Sequence, residues 1–284
     1  MNRIMKTLTS AVALCGLSVA VHAEAADDTL IVNEDINIVT VAPAPEHMAE
    51  TGITEIMSGW LFRDPDTRDM QRDDFENPAF TAVEEARTMW AAADGSEGKA
   101  CKDCHEDAEK MAGVRTTMPK VAANGELWAM EDFIDNCRTT RMGAEAWGYD
   151  SNAMLNMTAL LSSVSRGMPM AVTIDGAAAP FWEQGKEMYY SRTGQLELSC
   201  ANCHETNYGN MIRADHLSQG QTNGFPVYRL KDTKLTSAQG RFKGCVRDTR
   251  AETYSPGSPE FHALELYVAS RGNGLSVEGP SIRN

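Results

Sequence analysis

The sequence predicts a mainly α-helical protein made of two similar halves behind a short N-terminal extension. Two copies of Cys-x-x-Cys-His begin at Cys101 and Cys200, 99 residues apart. A helical pattern precedes each copy, and a second one ends each half at the same Ser-Arg-Gly tripeptide, at 165–167 and 270–272. Because the order of features is the same in both halves, the pattern indicates a duplicated domain.

The first 23 residues predict a secretory signal peptide. Arg3 and Lys6 precede an apolar run from about Leu8 to Val21, and Ala23 is a small residue suited to cleavage after position 23 or 25. The run is shorter than the roughly 20 apolar residues that a membrane-spanning helix needs. We therefore expect an exported, periplasmic protein without a membrane span.

Length and charge limit the classes of partner. The chain has 284 residues and a formal net charge of -14, which becomes about -16 once Arg3 and Lys6 leave with the signal. The remaining length, about 260 residues, suits two domains of ordinary size. Such an acidic chain should not bind nucleic acid. The acidity fits either a solvated surface or attraction to a basic partner protein.

Residues 24–75 lie outside the duplication and predict an N-terminal extension with short β and irregular structure. Ile31 and the run 36–41 favour short paired strands, and Pro43 and Pro45 favour a linker after them. We expect the segment around 59–62 to wrap one of the two helical domains. Those domains are assigned to residues 76–173 and 174–284.

Each helical domain is predicted to open and close with a helix. The opening helices cover about 77–90 and 179–190, with a proline in the first turn. Gly167 and Gly272 are expected to be the C-caps of the closing helices. Apolar residues recur at helical spacing in those closing helices: Leu155, Leu160, Leu161 and Val164 in one, and Leu264, Leu266, Tyr267 and Val268 in the other.

The Cys-x-x-Cys-His pattern is typical of covalent haem attachment, in which two thiols bond the haem vinyl groups and the histidine ligates the iron. The alternatives are a zinc site, a thioredoxin-like pair or a disulfide, but a closed zinc site needs four ligands and each cluster offers three. The sequence therefore predicts two cytochrome c-like haem domains with two covalently bound haem c groups. The attachment cysteines are Cys101, Cys104, Cys200 and Cys203, and the proximal ligands are His105 and His204.

Two lone cysteines are candidates for the distal side of each iron. Cys137 lies 32 residues after His105, and Cys245 lies 41 residues after His204. The second half has no methionine beyond Met211 to take that position. A Cys137–Cys245 disulfide is the alternative. The other distal candidates are His216 and His262 in the second half and Met118, Met130, Met142 and Met168 in the first.

The segment around Cys245 carries four cations within ten residues of an otherwise acidic chain. Arg241, Lys243 and Arg247 are interpreted as an anion pocket beside a nucleophilic sulfur, since arginine binds oxyanions with paired hydrogen bonds and positive charge favours the thiolate. A solvated basic loop is the alternative. Around Cys137 only Arg138 and Arg141 recur, so the second haem is the better candidate for the reactive centre.

These residues resemble the SoxA family, the dihaem subunit of the periplasmic SoxAX cytochrome of bacterial sulfur oxidation. The resemblance covers nearly the whole mature chain. Besides the two haem motifs it rests on Ser58-Gly59-Trp60, Met70-Gln71-Arg72-Asp73-Asp74-Phe75, Asn136-Cys137-Arg138, Ser165-Arg166-Gly167-Met168-Pro169, Gly194-Gln195-Leu196, Ser218-Gln219-Gly220, Gly224-Phe225-Pro226, Tyr228-Arg229-Leu230, 241–245 and Leu264-Glu265-Leu266-Tyr267.

The resemblance implies L-cysteine S-thiosulfotransferase activity, in which thiosulfate is joined oxidatively to a cysteine of the SoxYZ carrier protein and two electrons are released. It implies a sulfur-bearing role, often seen as a persulfide, for Cys245, substrate binding by Arg241, and distal ligation of the other haem by Cys137. It also implies a SoxX-like monohaem cytochrome as partner and electron acceptor. Two alternatives stay open: a thiosulfate dehydrogenase forming tetrathionate, and a dihaem cytochrome that only transfers electrons.

Overall fold

The computed structural model describes residues 29–284, so the predicted signal peptide and its cleavage sites lie outside the described part. The helices are α1 Pro65–Met70, α2 Phe80–Ala91, α3 Lys102–His105, α4 Met130–Cys137, α5 Asn152–Ser163, α6 Ala179–Tyr190, α7 Cys200–His204, α8 Ala238–Asp248 and α9 Pro259–Ser270. The strands are β1 Leu30–Val32, β2 Ile36–Ile38, β3 Val41–Pro43, β4 Glu55–Met57, β5 Lys120–Val121, β6 Leu127–Trp128, β7 Met211–Ile212, β8 Asp215–His216, β9 Val227–Arg229, β10 Lys234–Thr236 and β11 Ser281–Arg283. Helices predominate, as predicted.

Two packed helix pairs form the framework of the fold. Helix α2 packs against α5 and α6 packs against α9, and each of the four helices has 12 residues. The buried residues of the opening helices recur with the same spacing: Val83, Ala86 and Trp90 in α2, and Trp182, Gly185 and Tyr189 in α6. This spacing puts each set on one helix face. At the α6–α9 crossing, a Cβ on Gly185 would collide with the carbonyl oxygen of Ala263, so the helices approach closely only because this residue is glycine.

The predicted ends of these helices are partly wrong. The C-cap residues of α5 and α9 are Val164 and Arg271, not the predicted Gly167 and Gly272, and both keep right-handed helical angles. Gly167 has φ +78 but lies beyond the helix, where its N–H donates to the carbonyl of Val277 at 3.0 Å. That glycine therefore joins the turn to the C-terminal segment. Pro180 occupies the first turn of α6 as predicted, whereas Pro78 precedes the N-cap of α2.

The two halves share core residues. Leu127, Met170 and Val172 pack in the cluster built on α6 and α9, while Leu235 packs in the cluster built on α2 and α5. The C-terminal strand β11 pairs in parallel with β9, which also pairs with β10. The halves are consequently joined by packing as well as by the chain.

The extension forms two antiparallel strand pairs, β1 with β2 and β3 with β4, which confirms the predicted short strands. The expected linker is wrong, because residues 46–51 and 59–62 form 3-10 turns and α1 follows. The Asp74 carboxylate accepts two hydrogen bonds from Arg166, at 2.6 and 2.7 Å, and buried Glu278 accepts from Gln71 at 2.8 Å. The extension therefore contacts both halves. No helix among residues 29–284 is long and apolar enough to span a membrane.

Candidate haem-binding and sulfur-transfer site

The second Cys-x-x-Cys-His motif folds as the short helix α7. Ser199 precedes it and is reciprocally bonded to Asn202: the Ser199 N–H donates to Asn202 Oδ1 at 2.9 Å, and the Asn202 N–H donates to Ser199 Oγ at 3.4 Å. This capping box satisfies first-turn donors and fixes the start of the helix. One short helix therefore carries both cysteines of the motif and the adjacent histidine.

The His204 imidazole is held in a single tautomer. Its Nδ1 lies 2.8 Å from the carbonyl oxygen of Ser218, and because a carbonyl only accepts, Nδ1 carries the proton. Burial lowers the pKa of His204, so the ring is neutral and Nε2 keeps its lone pair. A histidine oriented through its other nitrogen in this way is suited to ligate a metal.

Cys245 lies beside this motif, on helix α8. Burial raises the pKa of Cys200 to about 12, and the Cys245 sulfur is the next cause of that shift. The same sulfur also contributes to the raised pKa of Cys203, after burial. Cys245 is therefore within electrostatic reach of both cysteines of the motif. All six described cysteines are free, so the structure of residues 29–284 holds no Cys137–Cys245 disulfide.

Arg241 shares a helix face with Cys245, since residues four apart on a helix are neighbours. Its guanidinium lies over Gly244, with Nη1 3.7 Å from where a Cβ would stand. The positive charge of Arg241 lowers the pKa of His204, as a smaller cause than burial and the hydrogen bond with Ser218. Among the described residues no side chain or carbonyl pairs with this guanidinium. A half-buried, unpaired cation beside the cysteine is suited to bind an anion.

Lys243 and Arg247 do not share that face. Each lies two residues from Cys245, which on a helix points to the opposite side. Both are exposed, and Arg247 pairs with Asp248 at 3.6 Å. The helix therefore places Lys243 and Arg247 on a different face from Arg241 and Cys245.

Sequence reasoning missed Arg229 as a site residue. Burial is the main cause of its lowered pKa, and both Arg241 and Cys245 contribute to that pKa. Its Nε and Nη2 donate to the carbonyl of Asn284 at 3.2 and 3.0 Å. A second cation thus stands near the cysteine, brought there by strand β9. The sequence feature that could have indicated Arg229 is the tripeptide Tyr228-Arg229-Leu230, which is one of the segments that carry the family resemblance.

The first motif, on helix α3, has a similar set of groups. The Ala100 N–H donates to Asp103 Oδ2 at 2.8 Å at the start of the motif, and the His105 ring lies 5.9 Å from the Trp90 ring. Cys137 is the last residue of α4. Burial is the largest cause of the raised pKa of Cys101, and the charge of Cys137 is the next cause. Cys137 therefore lies near the first motif, just as Cys245 lies near the second.

The cation beside Cys137 is already paired, unlike Arg241. Arg138 donates to Asp94 at 2.8 Å and to the carbonyl of Glu145 at 3.0 Å, and its guanidinium stacks 3.9 Å from the Trp147 ring centre. Arg141 is exposed. The two cysteine sites therefore differ in the cation available for an incoming anion.

The donor sets fit haem c. Each motif supplies two thiols, a histidine and a facing cysteine, whereas among residues 29–284 no group of three or more His, Cys, Asp or Glu side chains is arranged to hold a metal ion by itself. That result does not support the zinc alternative. The other candidates for distal ligands have different surroundings. His262 is hydrogen-bonded to Tyr149, and His216 lies in β8. Met118 and Met130 line an internal cavity, Met142 is buried and Met168 is exposed.

Comparisons with known proteins agree with this geometry. Residues 85–170 match the family described as SoxA/TsdA, cytochrome c domain. With the motif geometry, that match defines a c-type cytochrome, a class that binds haem c covalently. "L-cysteine S-thiosulfotransferase subunit SoxA" of Paracoccus pantotrophus is 55% identical over 100% of both chains, and the protein of the same name from Rhodovulum sulfidophilum is 54% identical over 99% of this chain and 100% of its own. The chain belongs to the SoxA family.

A solved structure shows the same fold. "Crystal structure of SoxXA from P. pantotrophus" contains a chain that matches with a TM-score of 0.87 and 57% sequence identity. The match covers 90% of this chain and 97% of the other. The fold of the described residues is thus that of a SoxA subunit.

Proposed function

We propose that this chain is the SoxA subunit of an L-cysteine S-thiosulfotransferase, with Cys245 as the sulfur-transfer residue and Arg241 as the substrate anchor. The observation that carries the proposal is that a half-buried cysteine and a guanidinium without a hydrogen-bond partner among the described residues lie on the same face of α8, beside the second motif. The names of the SoxA relatives support the reaction.

We also propose two covalent haem c groups in domains 76–173 and 174–284 related by duplication. Thiols of Cys101 and Cys104, and of Cys200 and Cys203, would attach them. His105 with Cys137 and His204 with Cys245 would ligate the irons. Gly95 and Gly194 support the duplication, because each lies before its motif and has a φ near +70. A Cβ on Gly95 would collide with the backbone of Met142, and a Cβ on Gly194 would collide with the backbone of Thr249. Both backbone segments follow the helix that carries the lone cysteine.

Arg241 would bind the thiosulfate dianion next to the Cys245 sulfur. The Cys245 thiolate would then form a sulfur–sulfur bond with the outer sulfur of thiosulfate, and the two electrons released would leave one at a time to the SoxX-like partner. Haem c bound at this motif would supply a one-electron acceptor. A carrier thiol attacks the bound sulfur, loses its proton and takes the thiosulfate group, and Cys245 leaves as thiolate. Lys243 and Arg247 would act only as exposed charges around the entrance.

The proposed partners follow from the relatives. The SoxXA structure supports a SoxX-like monohaem cytochrome as acceptor of the two electrons, and the enzyme name supports thiosulfate and a SoxYZ-like carrier as substrates. The predicted signal peptide, which lies outside the described residues, supports a periplasmic location.

The test is conjugation of thiosulfate to a purified carrier, followed by the intact mass of the carrier. Cys245→Ala should keep covalent haem at both motifs and lose conjugation, and Arg241→Ala should raise the KM for thiosulfate. Lys234→Ala, an exposed cation on β10, serves as the control. Full activity of Cys245→Ala would refute its role. Tetrathionate formed without carrier would favour the dehydrogenase alternative.

A further inference from the structure

A buried charged cluster lies between the two halves. Arg115, Glu131 and Glu265 line an internal cavity of about 20 Å³ and are only 4%, 8% and 7% exposed. A cavity of this size holds roughly one water molecule, provided that polar groups face it. Charged residues are seldom buried to this extent unless they are paired.

The cluster is incompletely bonded. Arg115 donates to the carbonyl oxygens of Met118 and Thr222, at 3.3 and 3.0 Å, and forms no ion pair with either carboxylate within the described chain. Glu265 accepts from Gln239 at 2.8 Å. Among residues 29–284, no other residue donates a hydrogen bond to Glu131. The Glu131 carboxyl group therefore lines the cavity with its own backbone N–H as the hydrogen-bond donor that favours its charged form.

The electrostatic surroundings favour a retained proton. Burial, followed by the charge of Glu265, raises the pKa of Glu131 to about 8, and burial raises the pKa of Glu265 as well. Arg115 opposes both shifts. The other titratable groups that face the pair are Asp132, His262 and Tyr149, which bond one another, with Tyr149 Oη 2.7 Å from Asp132 and 2.6 Å from His262.

The position of the pair links it to both cysteine sites. Glu131 lies at the start of α4, and Gln239, which holds Glu265, lies at the start of α8. Cys137 and Cys245 each follow six residues later on the same helix, about 9 Å along the axis at 1.5 Å per residue. One buried acid pair thus stands near the N-terminal end of both helices that carry a cysteine to a motif.

We propose that Glu131 and Glu265 form a proton-binding site that takes up one proton when haem c at a neighbouring motif gains an electron, and releases it when the electron leaves. The added negative charge favours the neutral carboxylic acid, and the proton comes from solvent. One electron and one proton enter together, so the net charge of the region is unchanged. The electron comes from sulfur oxidation or, in the test, from an electrode. The inference requires bound haem but not thiosulfotransferase activity.

Spectroelectrochemical titration of the holoprotein between pH 6 and 10 tests the proposal. In the wild type, the midpoint potential of at least one haem should fall as pH rises through about 8. Glu131→Gln and Glu265→Gln keep the shape and remove the charge, so each should flatten that dependence. Glu252→Gln removes an exposed carboxylate from the same half as Glu265 and should keep the wild-type dependence. Equal pH dependence in all four proteins would overturn the proposal.

Infrared difference spectra of reduced minus oxidised wild-type protein give a second readout, which does not depend on a variant folding. A protonated-carboxyl band should appear on reduction near pH 8 and should be absent from Glu131→Gln. A wild-type spectrum without that band would overturn the proposal, whatever the variants show.

Discussion

The imidazole of His204 lies directly against Gly220: a Cβ at position 220 would stand 2.9 Å from its Cγ and 3.0 Å from its Nδ1. The same loop supplies the Ser218 carbonyl that accepts from Nδ1. The loop at 218–220 therefore contacts the Nδ1 side of the imidazole and leaves Nε2 available to a metal.

Gly220→Ala should displace the His204 ring. Position 220 has φ +78, and the added methyl would also contact the imidazole, so we expect lower haem occupancy at the second motif and a loss of about 1–3 kcal/mol in unfolding free energy. Gly209→Ala is the matched control, because it has φ +83 but nothing within 4 Å. Equal losses in the two variants would show that backbone strain alone, and not the ring contact, is responsible.

The two arginines near the cysteines should respond differently to lysine. Arg138→Lys loses the fork that binds Asp94 and Glu145 and the stack on Trp147, so we expect about 1–2 kcal/mol less stability in chemical denaturation. Arg241→Lys breaks no side-chain hydrogen bond or ion pair within residues 29–284, so stability should stay within about 0.5 kcal/mol while thiosulfate use weakens. A stability loss at Arg241 equal to that at Arg138 would contradict the assignment of Arg241 as a free anion ligand.

Glu131 should make stability fall as pH rises. Its pKa is raised from 4.5 to about 8 in the folded protein, so between these values the folded state holds a proton that the unfolded state has lost. The stabilisation that Glu131 contributes is complete below about pH 4.5, and it is lost as the pH rises through about 8. Glu131→Gln should therefore be stabilised relative to wild type by up to a few kcal/mol at pH 9, in urea denaturation. A constant difference between pH 5 and 9 would be inconsistent with a protonated Glu131.

Local pattern was enough to predict the four long helices and the two motifs. A proline near the start of each helical pattern indicated α2 and α6, and apolar residues at helical spacing indicated α5 and α9, whose residues 154–162 and 261–270 are all buried. Family membership followed from motifs that the sequence displays directly. The distal roles of Cys137 and Cys245 stay predictions, although each cysteine lies near its motif.

The features that the sequence did not predict depend on contacts distant in sequence or on helix α8. Gly240 and Gly244 disfavour a helix, so the 241–250 segment gave no clear helical signal and Lys243 and Arg247 were grouped with Arg241. The helix separates them. The extension packs through pairs such as Gln71 with Glu278, 207 residues apart, which no local pattern encodes.

Identification of the distal ligand on each iron tests the central claim most directly. Electron paramagnetic resonance of holoprotein should show sulfur ligation at both haems, with Cys245→Ser losing it at one haem and Cys137→Ser at the other. Thiosulfate conjugation should be lost only in the first variant. An unchanged spectrum for Cys245→Ser would contradict the claim that the Cys245 sulfur ligates the second haem.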